Sequence, residues 1–103
     1  MASLSYEIAT ELYVIKEVFQ ENDDFMNANA IDTAIDLTDA VSKRHLPVEE
    51  YLDLLIEMFE HNMGYDVESA DGYREALDIV RERKEKELKL IQDRKTVHAL
   101  LGF

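Results

Sequence analysis

The sequence predicts an all-α fold: about four helices in a small bundle, with a long C-terminal helix that partly protrudes from it. Apolar residues recur at spacings of three and four along almost the whole chain, as they do on the buried face of a helix. The 103 residues include three glycines and one proline, too few for a fold built from strands and tight turns. This length is that of one domain with a single core.

The first two helices are predicted from about Leu4 to Gln20 and from about Ala30 to Arg44. Ser3 or Ser5 is the expected cap of the first helix, and Asn27 or Asn29 that of the second. The stretch "ENDDF" (21–25) between them is expected to be a loop. The residues predicted to face inward are Leu4, Ile8, Leu12, Ile15 and Phe19 in the first helix, and Ile31, Ala34, Ile35, Thr38 and Val41 in the second.

The third helix is expected to begin at Pro47, which suits the first helical position, with Glu49 and Glu50 in the first turn. Gly64 fits a left-handed cap at its end. Residues 65–72 are then a connection with room for one extended segment. The inward residues of the third helix are predicted to be Val48, Leu52, Leu55 and Phe59.

The fourth helix, capped by Asp71 or Ser69, has a normal inner row of Tyr73, Leu77 and Val80. The next seven residues, "RERKEKE" (81–87), are all charged, and a helix that is polar all round does not lie on a core. We therefore expect this helix to leave the bundle and carry apolar residues away from it. It then packs on a second copy of the chain, as a homodimer, or folds back after a break near Thr96. The apolar residues for oligomerisation or docking are Leu88, Ile91, Val97, Leu100, Leu101 and Phe103.

Charge divides the single domain into two parts. Residues 1–70 form an acidic helical body with 16 acidic and 3 basic residues, and residues 71–103, the long helix and its apolar tail, have 7 and 8. The whole chain carries a net charge of −12. Such a body repels nucleic acid and anionic membranes, so direct binding to either is not expected. The expected partner is the basic surface of a nucleic-acid-binding protein.

Helix spacing places the acidic residues in rows. Asp32, Asp36 and Asp39 share one face of the second helix, and carboxylates four residues apart rise by about 6 Å, comparable to neighbouring phosphates on a nucleic-acid strand. A solvated surface is the ordinary interpretation of such a row. The near absence of lysine and arginine from the body favours a binding surface, because solubility alone is served by mixed signs. The row on the third helix is Glu49, Glu50, Asp53, Glu57 and Glu60.

No residue pattern indicates catalysis, a cofactor or a metal. Cysteine is absent, so no thiolate nucleophile or thiolate metal ligand exists. Glu57 and His61 are spaced to share a metal, and Asp53 could add a third ligand, but the chain has no ExxH pair of the kind that builds dinuclear sites, and a Glu/His pair at a helix end is more often a surface pair. The stretch "DVESADG" fails as a calcium loop because its glycine is one position late. The tyrosines are expected at the edges of the core. The start "MASLSYE" lacks the features of a signal peptide, and we expect a cytoplasmic protein.

The layout of residues 30–90 resembles the small acidic helical anti-defence proteins of bacteriophages, of the DNA-mimic antirestriction type. The similar features are a short acidic helix, a single proline (Pro47) that opens a second acidic helix, the turn "GYDVES" and a long final helix. The resemblance implies a dimer that takes the shape of DNA and blocks DNA-binding enzymes in the host cytoplasm. The chain departs from that pattern at residues 81–95, which are rich in lysine and arginine where an acidic tail is expected.

Two functions follow from these features. The first is a non-catalytic protein that inhibits a nucleic-acid-handling enzyme by presenting helix-borne carboxylates as a phosphate mimic. The alternative is a helical adaptor, or an assembly or transcription cofactor, that binds a partner protein through residues 88–103. The final "HALLGF" is also similar to the short peptides that bind sliding clamps, with Leu101 and Phe103 as the apolar anchors.

Overall fold

The computed structural model describes the backbone of residues 3–101 and the side chains of residues 3–90 and 92. It confirms the all-α fold, with four α-helices and one short 3-10 turn in that part of the chain. The helices are α1 (Leu4–Glu21), α2 (Phe25–Ser42), α3 (Val48–Tyr65) and α4 (Ala70–Leu101), and the 3-10 turn is Val67–Ser69.

The helices form two antiparallel hairpins, α1 with α2 and α3 with α4, which pack on each other. α2 and α4 run in the same direction and touch across the centre of the bundle, whereas α1 and α3 make no backbone-level contact in the described chain. The bundle is therefore a flattened diamond, with α2 and α4 on its short diagonal.

The core confirms most of the predicted inner rows. Leu52, Leu55 and Phe59 of α3 are fully buried, as are Ile8 and Leu12 of α1. Leu4, Ile15 and Phe19 are only partly buried and cover the edge of the core. Val48 was predicted to face inward, but 45% of it is exposed, because it lies in the first turn of α3 beyond the end of the core.

The start of α2 was predicted five residues too late. The helix begins at Phe25, because the side chain of Asp24 caps it by accepting hydrogen bonds from the Asn27 backbone N–H (3.3 Å) and from Asn27 Nδ2 (2.8 Å). Asp23 adopts a left-handed φ of 55°, which short polar residues tolerate, and this turns the chain within three residues. Asn27 is consequently not a cap but a buried helical residue.

Asn27 instead joins α2 to the start of α4. Its Oδ1 accepts a hydrogen bond of 2.8 Å from the backbone N–H of Gly72, and Ser69 Oγ donates to the Met26 carbonyl oxygen (3.2 Å). Ser69 or Asp71 was the predicted cap of α4. The first turn is instead capped by a side chain of α2. A Cβ atom on Gly72 would lie 2.7 Å from the Asn27 carbonyl oxygen and 2.9 Å from Ala30 Cβ, so this approach requires glycine.

The end of α3 also differs from the prediction. Gly64 lies inside the helix, which ends at Tyr65 with Asp66 as its C-cap at φ −111°, so there is no left-handed cap. The following residues contain no extended segment but the 3-10 turn, whose Ser69 is buried against α2. Docking of this turn on α2 supplies the chain reversal that Gly64 was expected to provide.

The sequence analysis expected α4 to leave the bundle at residue 81, but the helix remains in contact with it there. Arg81 pairs with Glu60 of α3, Arg83 Nη1 lies 3.1 Å from Glu7 Oε2 of α1, and Lys84 pairs with Asp53 of α3. The charged stretch therefore contacts the bundle through its long side chains and not through an apolar face.

The helix protrudes only beyond these ion pairs. Its 32 residues span about 48 Å, against about 27 Å for each 18-residue helix. The molecule correspondingly measures 56 by 23 by 23 Å. The backbone stays helical to Leu101, so the break expected as an alternative near Thr96 is absent. Within the described chain, no helix has both the length and the hydropathy that a bilayer crossing requires.

Tyr51 connects α3 to α2 in the interior. Only 6% of it is exposed, and its hydroxyl donates to the Thr38 carbonyl oxygen at 3.1 Å. Burial, assisted by the nearby negative charge of Asp39, raises its pKa from 10.0 to about 12. The neutral phenol is therefore part of the packed state.

Replacing Gly72 with alanine is expected to lower the free energy of unfolding by about 2 kcal/mol, because the added methyl group overlaps the α2 backbone. The matched change at Gly64 should raise it by about 0.5 to 1 kcal/mol, since alanine is the better helix former and no atom lies within 4 Å of its Cβ. Urea denaturation followed by circular dichroism measures both. Destabilisation by Gly64→Ala would mean that this glycine is needed as a cap after all.

Tyr51 predicts a loss of stability in alkali. Between pH 10 and about 12 the unfolded chain releases the phenolic proton while the folded chain retains it, so the free energy of unfolding falls as the pH rises. Tyr51→Phe should cost about 1 kcal/mol at neutral pH through the lost hydrogen bond, and the difference from the parent should shrink across that interval. If the parent and Tyr51→Phe differ in free energy of unfolding by the same amount at every pH, Tyr51 has the same pKa in the folded and unfolded states.

Candidate protein-binding surfaces

The aspartate row of α2 is only partly free. Asp32 Oδ1 lies 2.6 Å from Lys16 Nζ of α1, and this hydrogen bond raises the pKa of Lys16. Asp39 pairs with Lys43, one turn later on the same helix, at 3.2 Å. Asp36 is exposed and makes no ion pair with a described side chain. Of the three carboxylates, Asp36 alone has no ion-pair partner among the described side chains.

The row of α3 is divided in the same way. Asp53 and Glu60 face α4 and pair with Lys84 and Arg81, and the hydrogen bond to Asp53 raises the pKa of Lys84. The other three carboxylates are exposed and form no ion pair among the described residues. They are Glu49, Glu50 and Glu57.

The sequence indicated that the outer faces of the body carry charge of a single sign. The structure shows that they do not. Most of the compensating bases come from α4, which is distant in sequence, and counting charges by segment does not reveal them. Exposed ion pairs of this kind add little stability, but each one cancels local charge. Glu50 and Glu57 are about 10 Å apart along the helix, so the remaining carboxylates are separate points and not a row at phosphate spacing.

A groove between α1 and α2 brings Asp36 and Asp39 beside two exposed tyrosines. Its volume is about 490 Å³, and Tyr6, Tyr13 and Ile35 line it together with the two aspartates. Carboxylates attract a cation while aromatic faces stack on it, so the groove suits an arginine or lysine side chain. Lys16 Nζ already lies 5.9 Å from the Tyr13 ring centroid. The sequence did not reveal this groove, because the packing register of α1 on α2 decides which tyrosines flank the aspartates.

A second groove, of about 430 Å³, lies between α2 and α3. Leu37, Leu54 and Met58 form its floor, with Glu57 and His61 at the rim. The His61 ring packs against Tyr65, with centroids 5.4 Å apart. Asp53, the possible third metal ligand, pairs with Lys84 instead, and no group of three metal-binding side chains occurs among the described residues. This groove offers an apolar surface beside one carboxylate.

The protruding part of α4 presents the third surface. Leu88 and Leu90 are exposed there among charged residues. Of the other predicted docking residues, Phe103 and the side chains of Ile91, Val97, Leu100 and Leu101 lie outside the described part of the chain.

Comparison of the chain with protein families, with curated proteins and with solved structures found no match.

Proposed function

We propose that this chain is a non-catalytic acidic protein that binds and inhibits a nucleic-acid-handling enzyme, with its carboxylates in the places of phosphates. The observation that carries the proposal is the set of exposed carboxylates that form no ion pair with any described side chain. On α2 and α3 these are Asp36, Glu49, Glu50 and Glu57. Enzymes that hold nucleic acid present arginine and lysine toward phosphates, and these side chains are complementary to such carboxylates.

Recognition in this proposal takes place at separate points. Asp36 lies in the tyrosine-lined groove, where an arginine side chain would contact carboxylate and ring together. Glu57 lies beside the apolar floor of the α2–α3 groove, where packing adds to charge. Binding of this type has a fast, salt-sensitive association step, and it competes with nucleic acid for the same bases.

The layout that residues 30–90 share with bacteriophage anti-defence proteins supports the same function. In this proposal the chain acts in the cytoplasm of a bacterial host, with restriction and other defence enzymes as its targets. The proposed inhibition is stoichiometric: the chain occupies the nucleic-acid site and carries out no reaction.

The triple variant Asp36→Lys, Glu50→Lys, Glu57→Lys is expected to weaken binding to the target by about tenfold or more, because attraction becomes repulsion. The matched control is Glu75→Lys, Asp78→Lys, Glu82→Lys, which changes the net charge equally on exposed positions of α4. Immobilised protein would capture the target from bacterial lysate, and mass spectrometry would identify it. Duplex DNA should release the captured enzyme.

Equal capture by the parent and the first variant would eliminate the carboxylates as the binding surface. Equal weakening by both variants would reduce the effect to net charge. Retention that duplex DNA does not disturb would show that the partner is not held through a nucleic-acid site.

A second candidate function is that of a helical adaptor or assembly factor that uses residues 88–103, and the exposure of Leu88 and Leu90 on the protruding helix favours it. In this case the acidic faces serve solubility. The same segment is the proposed contact between two copies of the chain in a homodimer.

Deletion of residues 97–103 separates this candidate from the first. If the segment joins copies or partners, sedimentation equilibrium should show the truncated chain as a monomer, and partner capture should be lost. The triple lysine variant of Asp36, Glu50 and Glu57 should assemble normally. A truncated chain that keeps both its mass and its partner would refute a docking role for the segment.

A further inference from the structure

An exposed apolar patch lies at the end of the bundle opposite the protruding helix. Phe25 and Met26 begin α2, Tyr65 ends α3, and Val67 lies in the 3-10 turn; their exposed fractions are 59, 48, 84 and 76%. The hydrogen bond from Ser69 to the Met26 carbonyl oxygen holds that turn against the start of α2. We call these four residues the loop-end patch. Aromatic and methionine side chains exposed together are typical of the centre of a protein interface.

The rim of the loop-end patch is acidic, and no described basic side chain pairs with it. Asp23, Asp24, Asp66 and Glu68 flank the four residues, and none of them forms an ion pair with a described side chain. Neither residues 17–42 nor residues 45–73 include a lysine or arginine. The next base along the chain, Arg74, is paired with Asp71 at 2.8 Å.

We propose that the loop-end patch binds a protein surface with an apolar centre and a basic rim. The acidic rim repels nucleic acid and anionic membranes. Two copies placed patch to patch would bring two acidic rims together, which is unfavourable. A copy that docked its basic helix end here would form a head-to-tail contact, which continues into an open chain of molecules and does not close. A separate basic protein satisfies both the charge and the apolar surface.

This inference rests on the proposed function, in that the basic partner is the same target, and it names the apolar anchor of that contact. The carboxylates of α2 and α3 then supply attraction and specificity, while the loop-end patch supplies burial. Interfaces concentrate their binding energy in a few large apolar side chains surrounded by a polar rim.

The test is an NMR titration of ¹⁵N-labelled protein with a defined probe, a 14-residue peptide of leucine and lysine in helical spacing. Polylysine of equal charge and a leucine–glutamate peptide are the comparison probes. The leucine–lysine peptide should shift the amide signals of residues 23–26 and 65–68 and bind about tenfold more tightly than polylysine. The leucine–glutamate peptide should not bind.

Two double variants make the assignment specific. Phe25→Ser with Val67→Ser removes apolar surface from the patch without changing charge, and it should weaken peptide binding by about tenfold. Val14→Ser with Val48→Ser removes exposed valines elsewhere, and binding should change by less than about twofold. Circular dichroism verifies that both variants fold.

Three results would overturn the proposal. One is peptide binding that shifts only the amide signals of the α1–α2 groove and has the same affinity in the Phe25/Val67 variant. Another is a change in the sedimentation coefficient of that variant alone, which would make the patch a contact between copies. The third is tighter binding of a synthetic peptide of residues 86–103 than of the leucine–lysine probe.

The two proposals fail separately. If the Phe25/Val67 variant still captures the target and the triple lysine variant does not, the patch is refuted and the phosphate mimic stands. If the peptide binds the patch but the triple lysine variant captures the target normally, the patch is a binding site and the phosphate mimic is refuted.

Discussion

The contact between Asn27 and Gly72 determines how the two hairpins fit together. It places the first turns of α2 and α4 side by side, with a hydrogen bond of 2.8 Å from the backbone of one helix to a side chain of the other. The absence of a side chain at Gly72 permits this approach, and the buried Ala34 and Ala76 keep the helices close farther along. Since α2 and α4 occupy the short diagonal, α1 and α3 stay apart.

The same contact sets the register of the charged residues. α4 starts level with α2, so Arg83 and Lys84 reach α1 and α3 near the far end of the bundle, where they pair with Glu7 and Asp53. At 1.5 Å per residue α4 passes that end after about 18 residues, near Leu88. Everything beyond is excess helix, and this explains why Leu88 and Leu90 are exposed.

Charge is consequently distributed along the long axis. The basic residues are concentrated toward the end from which α4 protrudes, whereas the loop end has acidic residues and an apolar patch with almost no base. A basic partner is therefore attracted more strongly to the loop end than to the end from which α4 protrudes, and this difference orients its approach. The grooves with Asp36 and Glu57 lie between these ends on the sides of α2. The proposed inhibitor thus presents charge along its sides and apolar surface at its tip.

The sequence by itself determined the fold class, the number of helices and most of the core, because helical spacing of apolar residues reports directly which faces are buried. It also determined that the chain is strongly acidic. The caps were less certain: Asn27 looked like the cap of α2, but the nearby Asp24 provides it. Gly64 looked like the cap of α3, but the helix ends at Tyr65 with Asp66 as its C-cap, and the 3-10 turn docked on α2 reverses the chain. Only the tertiary structure decided that Glu60, Glu7 and Asp53 are paired, because their partners in α4 lie 21, 76 and 31 residues away along the chain. It alone also gathered Phe25, Met26, Tyr65 and Val67 at one end, since packing between hairpins, and no spacing along the chain, brings them together.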